Sequence, residues 1–109
     1  MISDSDIEES VDYLRDNARP AAKARAERIY MEEYRKVAKG IVMRENSASP
    51  IGAQEAIAYA SERYLNHLAA MKTAIEADEY HRWMMVAAEA KIEAWRTQQA
   101  NYRAQGRTG

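Results

Sequence analysis

The chain has no cysteine, and this absence excludes both a disulfide framework and a zinc site built from thiolates. Phenylalanine is also missing, while glycine and proline number only four and two, so the residues that break helices are few. No run alternates between apolar and polar residues with the period of two that is typical of strands. These absences favour an all-α fold made of long helices.

A long hydrophobic run is absent as well. The longest strongly apolar run without a charge extends from Trp83 to Ala88, far short of the roughly 20 residues that span a membrane. The first residues contain neither a basic segment nor an apolar core, so we expect no signal peptide and no membrane partner. The lack of cysteine fits a reducing compartment, and we expect a cytoplasmic protein.

The beginning of the chain predicts a short acidic helix over residues 1–16, which hold six acidic residues and one basic residue. Ser3 or Ser5 is expected to cap it, because a serine hydroxyl accepts a hydrogen bond from a free helix N–H group. Pro20 is expected to end this helix or to begin the next, since proline is poorly tolerated in a helix interior. A second helix follows over about residues 21–45. Its predicted core face consists of five residues: Ala26, Tyr30, Tyr34, Val37 and Ile41.

The rest of the chain predicts a short linking helix and a long C-terminal helix. The linking helix covers about residues 53–59 after a loop at 46–52, and Ser61 is expected to cap the final helix. Residues 97–109 are expected to form a polar, partly disordered tail. The prediction is a single helical domain, 1–109, built as a helical hairpin with a long C-terminal helix.

The final helix is too long for the predicted hairpin to cover, so we expect a homo-oligomer. Its interface is predicted along an apolar seam of the final helix: Leu68, Met71, Ile75, Met85 and Ile92. Asp78 interrupts the seam, and it either pairs with Arg82 on the helix surface or belongs to a polar layer between subunits. From Tyr80 to Trp95, apolar residues surround nearly the whole helix, which also favours a self-association or partner surface.

No combination of residues predicts catalysis or cofactor binding. His67 and His81 would lie about 21 Å apart on one helix, too far to share a metal within one chain. Asp78 and His81 have the spacing of a carboxylate-bridged metal motif, but such sites need two copies, and the sequence has one. Neither a phosphate-binding glycine loop nor an HExxH motif occurs. We expect no enzyme activity, no cofactor and no metal.

The second predicted helix collects basic residues that are candidates for binding nucleic-acid phosphates: Lys23, Arg25, Arg28, Arg35, Lys36 and Lys39. Glu27, Glu32 and Glu33 lie among them, so the alternative is a solvated face with ordinary intrahelical ion pairs. An oligomer would favour the first interpretation, because a ring or stack of subunits joins weak patches into a continuous groove.

The C-terminal tail is a second candidate for nucleic-acid binding. It interleaves arginines with aromatic residues, an arrangement that suits stacking on unpaired bases: Trp95, Arg96, Tyr102, Arg103 and Arg107. The alternative is that Trp95 belongs to the helix core and that the polar end of the helix frays.

Two stretches resemble small helical proteins of tailed phages and prophages. They are Lys23–Lys36, KARAERIYMEEYRK, and Trp83–Gln98, WMMVAAEAKIEAWRTQ. The resemblance implies a role among phage recombination and replication functions, in the cytoplasm of the bacterial host.

The layout also resembles the UvsY-type recombination mediators of T-even phages, all-helical oligomers that help to load a recombinase onto single-stranded DNA. That family carries a DNA-binding Lys-Ala-Arg motif followed by an acid and a tyrosine, matched here by Lys23–Arg25, Glu27 and Tyr30. It also has an apolar C-terminal helix for assembly, which three residues would supply here: Met85, Val86 and Ile92. The family's double tyrosine and the Ser-Gly after it are missing, and residues 1–16 have no clear counterpart.

The residues and the resemblance together predict an accessory protein of phage recombination or replication. It would be a homo-oligomer that binds single-stranded DNA without sequence preference, with a recombinase or a single-strand-binding protein as its protein partner. Two alternatives stay open. One is a small phage protein that binds and modulates a host or phage protein through an apolar helix face, and the other is a structural subunit of phage assembly.

Overall fold

Three helices make up the computed structural model, which describes residues 1–108 and the side chains of residues 1–106. They are α1 (Asp4–Glu45), α2 (Ile51–Ala60) and α3 (Glu62–Thr108), and this part of the chain contains no strand. The all-helical class and the long C-terminal helix are therefore confirmed. Helix α3 extends into the segment 97–109 that the sequence predicts as a polar tail, and Gly109 lies outside the described residues.

The chain divides into two compact units, and α1 and α3 each contribute to both. The terminal unit consists of Met1–Ala21 together with the chain from Tyr80 onward, and the central unit is Ala22–Glu79. In the terminal unit, the amide of Gln98 donates a hydrogen bond to the carbonyl oxygen of Ile2 at 3.0 Å. In the central unit, α1 packs against α3, and α2 lies between them in the sequence.

The helix break predicted at Pro20 is absent, because α1 runs through this residue without interruption. A proline inside a helix removes one backbone hydrogen bond and costs about 3 kcal/mol or more. Hydrogen bonds to α3 occur on both sides of Pro20 in the sequence, from Ile2 in the terminal unit and from Arg28 in the central unit. The position of a proline in the sequence does not reveal such contacts.

Serine caps begin both long helices, as the sequence predicts. At α1, the N–H of Asp6 donates to Ser3 Oγ at 3.1 Å, and the N–H of Ser3 donates to the Asp6 carboxylate at 2.9 Å. These two hydrogen bonds form a reciprocal capping box. They also lower the pKa of Asp6, chiefly through the Ser3 backbone N–H. At α3, the N–H of Tyr64 donates to Ser61 Oγ at 3.2 Å.

The predicted core face of α1 is covered only in part: Tyr34 and Ile41 are half-buried, and its other three residues are exposed. Tyr30 and Val37 are 61% and 50% exposed, and Ala26 is exposed as well. The buried positions are instead Ala38 and Val42. Alanine at a contact lets two helices approach closely, whereas hydrophobicity alone would assign the larger tyrosine and valine to the core.

The core of the described residues is built mainly from small side chains. Its buried apolar members are Ala38, Val42, Ala58, Tyr64, Ala74 and Ala88, and no large side chain is fully buried. Many large apolar side chains in the same part of the chain stay exposed instead. The chain thus buries four of its alanines and leaves much of its larger apolar surface open.

Candidate nucleic-acid interface

Arg28, one of the six predicted phosphate-binding residues, is held by three carboxylates. Its guanidinium donates to Glu32 at 3.0 Å, to Glu79 at 3.0 Å and to Asp78 at 3.2 Å. These hydrogen bonds raise the pKa of Arg28 above its ordinary value, with Glu32 as the largest cause. Asp78 and Glu79 lie on α3, so Arg28 ties α1 to α3 within the central unit. A phosphate would have to compete with these acids.

Lys39 has a similar structural role between α1 and α2. Its ammonium lies 3.1 Å from Glu55 Oε1 and 4.7 Å from the centre of the Tyr59 ring. Contact with Tyr59, followed by the bond to Glu55, raises the pKa of Lys39. Lys36 forms an ion pair with Glu33 one turn away at 3.6 Å, and both side chains are about 70% exposed. Exposed pairs of this kind are weak, so Lys36 stays accessible to an anion.

The other three predicted residues, Lys23, Arg25 and Arg35, are exposed and have no hydrogen bond or ion pair within residues 1–108. They do not all share one side of α1. Positions two apart in a helix differ by about 200° around its axis, so Lys23 and Arg25 point in nearly opposite directions. Arg35 is ten residues from Arg25 and lies within about 80° of it, on the same broad side. The unpaired cations therefore border α1 on two sides.

Tyr30 lies on the Lys23 side of α1, about 140° around the helix axis from Arg25 and Arg35, although its hydrophobicity assigns it to the core. Its ring stacks on Tyr34 with centroids 5.9 Å apart and planes 21° apart, and the Tyr34 ring contacts His67 at 5.3 Å. His67 is buried, and its Nε2 donates to the carbonyl oxygen of Met31 at 2.6 Å. The three rings thus form a row, Tyr30, Tyr34 and His67. The hydrogen bond to Met31 holds the buried His67 in place, and the Tyr30 ring at the other end of the row is exposed to solvent.

The seven-residue spacing between Lys23 and Tyr30 is the signal that could have identified this surface. Residues seven apart lie nearly above one another on a helix, about 10 Å along its axis. The structure therefore aligns an unpaired cation with an exposed aromatic ring on one side of α1, in the central unit.

The predicted oligomer seam is already partly covered by the chain itself. Its five residues are all half-buried: Leu68, Met71, Ile75, Met85 and Ile92. Asp78, which interrupts the seam, is 17% exposed and is bonded to Arg28. It is therefore part of an ion pair between two helices of one chain, an arrangement that neither sequence interpretation included.

The C-terminal aromatic and basic residues are distributed over different environments. Trp95 is half-buried, and Arg96 forms an ion pair with Glu93 at 3.3 Å. The hydroxyl of Tyr102 lies 3.5 Å from the sulfur of Met1, and Arg103 is exposed. The side chain of Arg107 lies outside the described part of the structure. This tail does not present one continuous row of stacked and charged groups over residues 95–103.

Two further properties of residues 1–108 concern metal binding and membrane crossing. No group of three or more histidine, aspartate or glutamate residues is arranged to hold a metal ion there. In the same part of the chain, no helix combines the length and the apolar character that crossing a membrane requires.

No protein-family model, curated protein or solved structure matches this chain. The resemblances to phage proteins and to recombination mediators therefore stay predictions.

Proposed function

We propose that this chain is an accessory protein of phage DNA recombination or replication, which binds single-stranded DNA without sequence preference as a homo-oligomer. The observation that carries the proposal is the alignment, on one side of α1 in the central unit, of Lys23, which has no ion-pair partner, with the exposed ring of Tyr30. Arg25 and Arg35 add unpaired cations on another side of the same helix. A recombinase or a single-strand-binding protein is the protein partner that this role implies.

Each part of this surface suits one part of a single strand. Unpaired lysines and arginines neutralise phosphates and release counterions, which provides affinity that is independent of sequence. An exposed aromatic ring stacks on any unpaired base, because every base has a π face. Duplex DNA offers phosphates but no free base faces, so Tyr30 favours a single strand. The number of cations per chain is small, and an oligomer would add several such surfaces along one strand.

A second function is favoured by a different observation. Trp83 in α3 is 60% exposed, and tryptophan is a frequent anchor residue in protein interfaces. The chain would then be a small phage protein that binds and modulates another protein, or a structural subunit of phage assembly. Under this alternative, the chain would still associate but would not retain DNA.

Binding of a labelled oligothymidine at low salt, followed by fluorescence anisotropy, tests the leading proposal. We expect Tyr30→Ala to weaken binding by about 1–3 kcal/mol, the usual contribution of one stacked base. Tyr30→Phe is the matched control, because it keeps the ring, and it should bind like the unaltered chain. On an abasic strand of the same length, Tyr30→Ala should have no effect.

Two results would contradict the proposal. If the unaltered chain does not retain the oligothymidine at low salt, the DNA-binding function is wrong. If duplex DNA of equal length competes as well as the single strand, the role assigned to Tyr30 is wrong. Light scattering coupled to size exclusion gives the mass of the complex in the same samples.

A further inference from the structure

The terminal unit exposes a row of apolar side chains along α3. Tyr80, Trp83, Met84 and Ala87 follow the spacing of three and four residues that puts side chains on one helix face. Tyr80 and Trp83 are 61% and 60% exposed, and Met84 is 39% exposed. We call these four residues the α3 stripe. None of them belongs to the half-buried seam, so the stripe is a separate surface.

A shallow groove lies beside the α3 stripe, within the same unit. Its volume is about 230 Å³, and its lining includes Ser10 and Tyr13 of α1 and Met84, Ala87 and Ala88 of α3. An apolar cavity of about 150 Å³ holds a benzene ring. The groove therefore has room for an aromatic side chain, and the alanines on its α3 side allow a second helix to approach closely.

The charges at the groove suit a second copy of the same chain. Glu9 and Lys91 both contribute to its lining, so the surface carries one acid and one base. A two-fold interface brings identical patches together, and it must therefore be complementary to itself. Because each copy brings both signs, the acid of one copy can face the base of the other, whereas a patch of one sign would repel its own copy.

The accessible surface area of the chain is compatible with a second copy as the occupant of the groove. The accessible surface is 8073 Å² for a mass of 12.4 kDa. A compact monomer of this mass exposes about 6,100 Å², so the chain exposes about 1,900 Å² more. A standard interface buries about 800 Å² per partner, and obligate homodimers bury more. This excess is larger than the area that one contact buries; it is summed over the whole chain, and the α3 stripe and the groove contribute part of it.

We propose that two copies of this chain associate through the α3 stripe, with Trp83 of each copy filling the groove of the other. This inference rests on the self-association included in the proposed function, and it specifies the surface. In this proposal, the α3 stripe replaces the half-buried seam as the main contact, because its side chains are more exposed and because it adjoins a groove.

Ala87→Glu is the variant that tests this contact, and Ala70→Glu is its matched control. Both alanines are exposed on α3, and both variants receive the same charge, but Ala70 lies in the central unit. We expect Ala87→Glu to raise the dissociation constant of self-association at least about thirtyfold, as loss of a central contact does. Ala70→Glu should change it less than about threefold. Sedimentation equilibrium measures both constants, and circular dichroism checks that helicity is unchanged.

Chemical cross-linking tests the surface without a disruptive substitution. Because the chain has no cysteine, Ala87→Cys and Ala70→Cys each introduce one defined attachment point. A short flexible bismaleimide should link Ala87→Cys into covalent dimers at micromolar concentration, and Ala70→Cys should give few. This measurement remains informative if Ala87→Glu fails to fold.

The outcomes separate this surface from the wider proposal. A monomeric mass for the unaltered chain at micromolar concentration would overturn both the self-association and its surface. An oligomer that persists in Ala87→Glu, together with no cross-link at Ala87→Cys, would overturn the surface alone. Loss of association in both glutamate variants would also contradict a contact specific to the α3 stripe, as would a purified complex in which a different protein covers the stripe.

Discussion

Replacing Lys23, Arg25 and Arg35 together with glutamine is the perturbation that best separates DNA-binding cations from structural ones. These three residues have no partner within residues 1–108, so their loss removes no ion pair there. If each contacts one phosphate, each contributes about 0.7 to the slope of log affinity against log salt concentration for a single strand. The triple variant should therefore lose about 2.1 from that slope for each bound chain.

The corresponding change in affinity is large enough to measure. A fourfold rise in salt, from 50 to 200 mM, weakens binding about 2.6-fold per phosphate contact. Three contacts therefore account for a loss of about 18-fold per bound chain, and this part of the salt dependence should disappear in the triple variant. Anisotropy titrations of a labelled oligothymidine at four or five salt concentrations provide the two slopes.

A second triple variant controls for net charge. It replaces three cations that already pair with an acid on the same chain: Arg15, Arg63 and Arg96. Both variants lose three positive charges, but only the first loses the unpaired ones. Equal slopes for the two variants would refute the assignment of phosphate contacts to the unpaired side chains, and an unchanged slope in the first variant would do the same.

Arg28 should behave in the opposite way. Arg28→Gln removes the link between α1 and the acids Asp78 and Glu79, and it leaves the Asp78 carboxylate, which is 17% exposed, without the guanidinium that it pairs with. We expect a lower midpoint of thermal unfolding and an unchanged salt slope. A variant that keeps its thermal midpoint but loses DNA affinity would assign Arg28 to the binding surface instead.

Three further predictions concern stability. Gly40→Ala should raise the free energy of unfolding by about 0.5–1 kcal/mol, since nothing lies within 4 Å of an added Cβ in this helix interior; a decrease in denaturant titrations would contradict this. Ser61→Ala should lower it by about 1 kcal/mol through loss of the cap on the Tyr64 N–H, and an unchanged denaturation midpoint would contradict the cap. Because the folded pKa of Asp6 is depressed below 3.8, its capping contribution is present above that pH and is lost as the pH falls through the folded value. Asp6→Asn should therefore be less stable at pH 7 and lose less stability below pH 3.8, and parallel pH curves from thermal unfolding would refute this.

The helices and their caps follow from local patterns in the sequence. Ser3 and Ser61 cap helices because a serine hydroxyl reaches a backbone N–H three residues on. Apolar periodicity also predicts that most of the chain is helical. It does not predict that α1 continues through Pro20, because proline is poorly tolerated in a helix interior.

The candidate site was only partly predictable, because its properties depend on residues distant in the chain. The sequence identifies six basic residues in one segment, but acids about 50 positions away engage Arg28, and Glu55 in α2 engages Lys39. In the same way, the sequence does not reveal that Tyr30 is exposed while Ala38 is buried. A list of charges along one helix contains none of this information.

The sequence by itself determined an all-helical chain with serine caps, a cluster of basic residues from Lys23 to Lys39 and an apolar stretch from Tyr80 to Trp95, since each of these depends on neighbours within a few turns. The tertiary structure alone decided which cations form ion pairs, which apolar residues are buried and which stay exposed. The physical reason is that burial and charge pairing are set by the face that each helix turns toward its neighbour. Small alanines, rather than the larger apolar residues, occupy much of that face here.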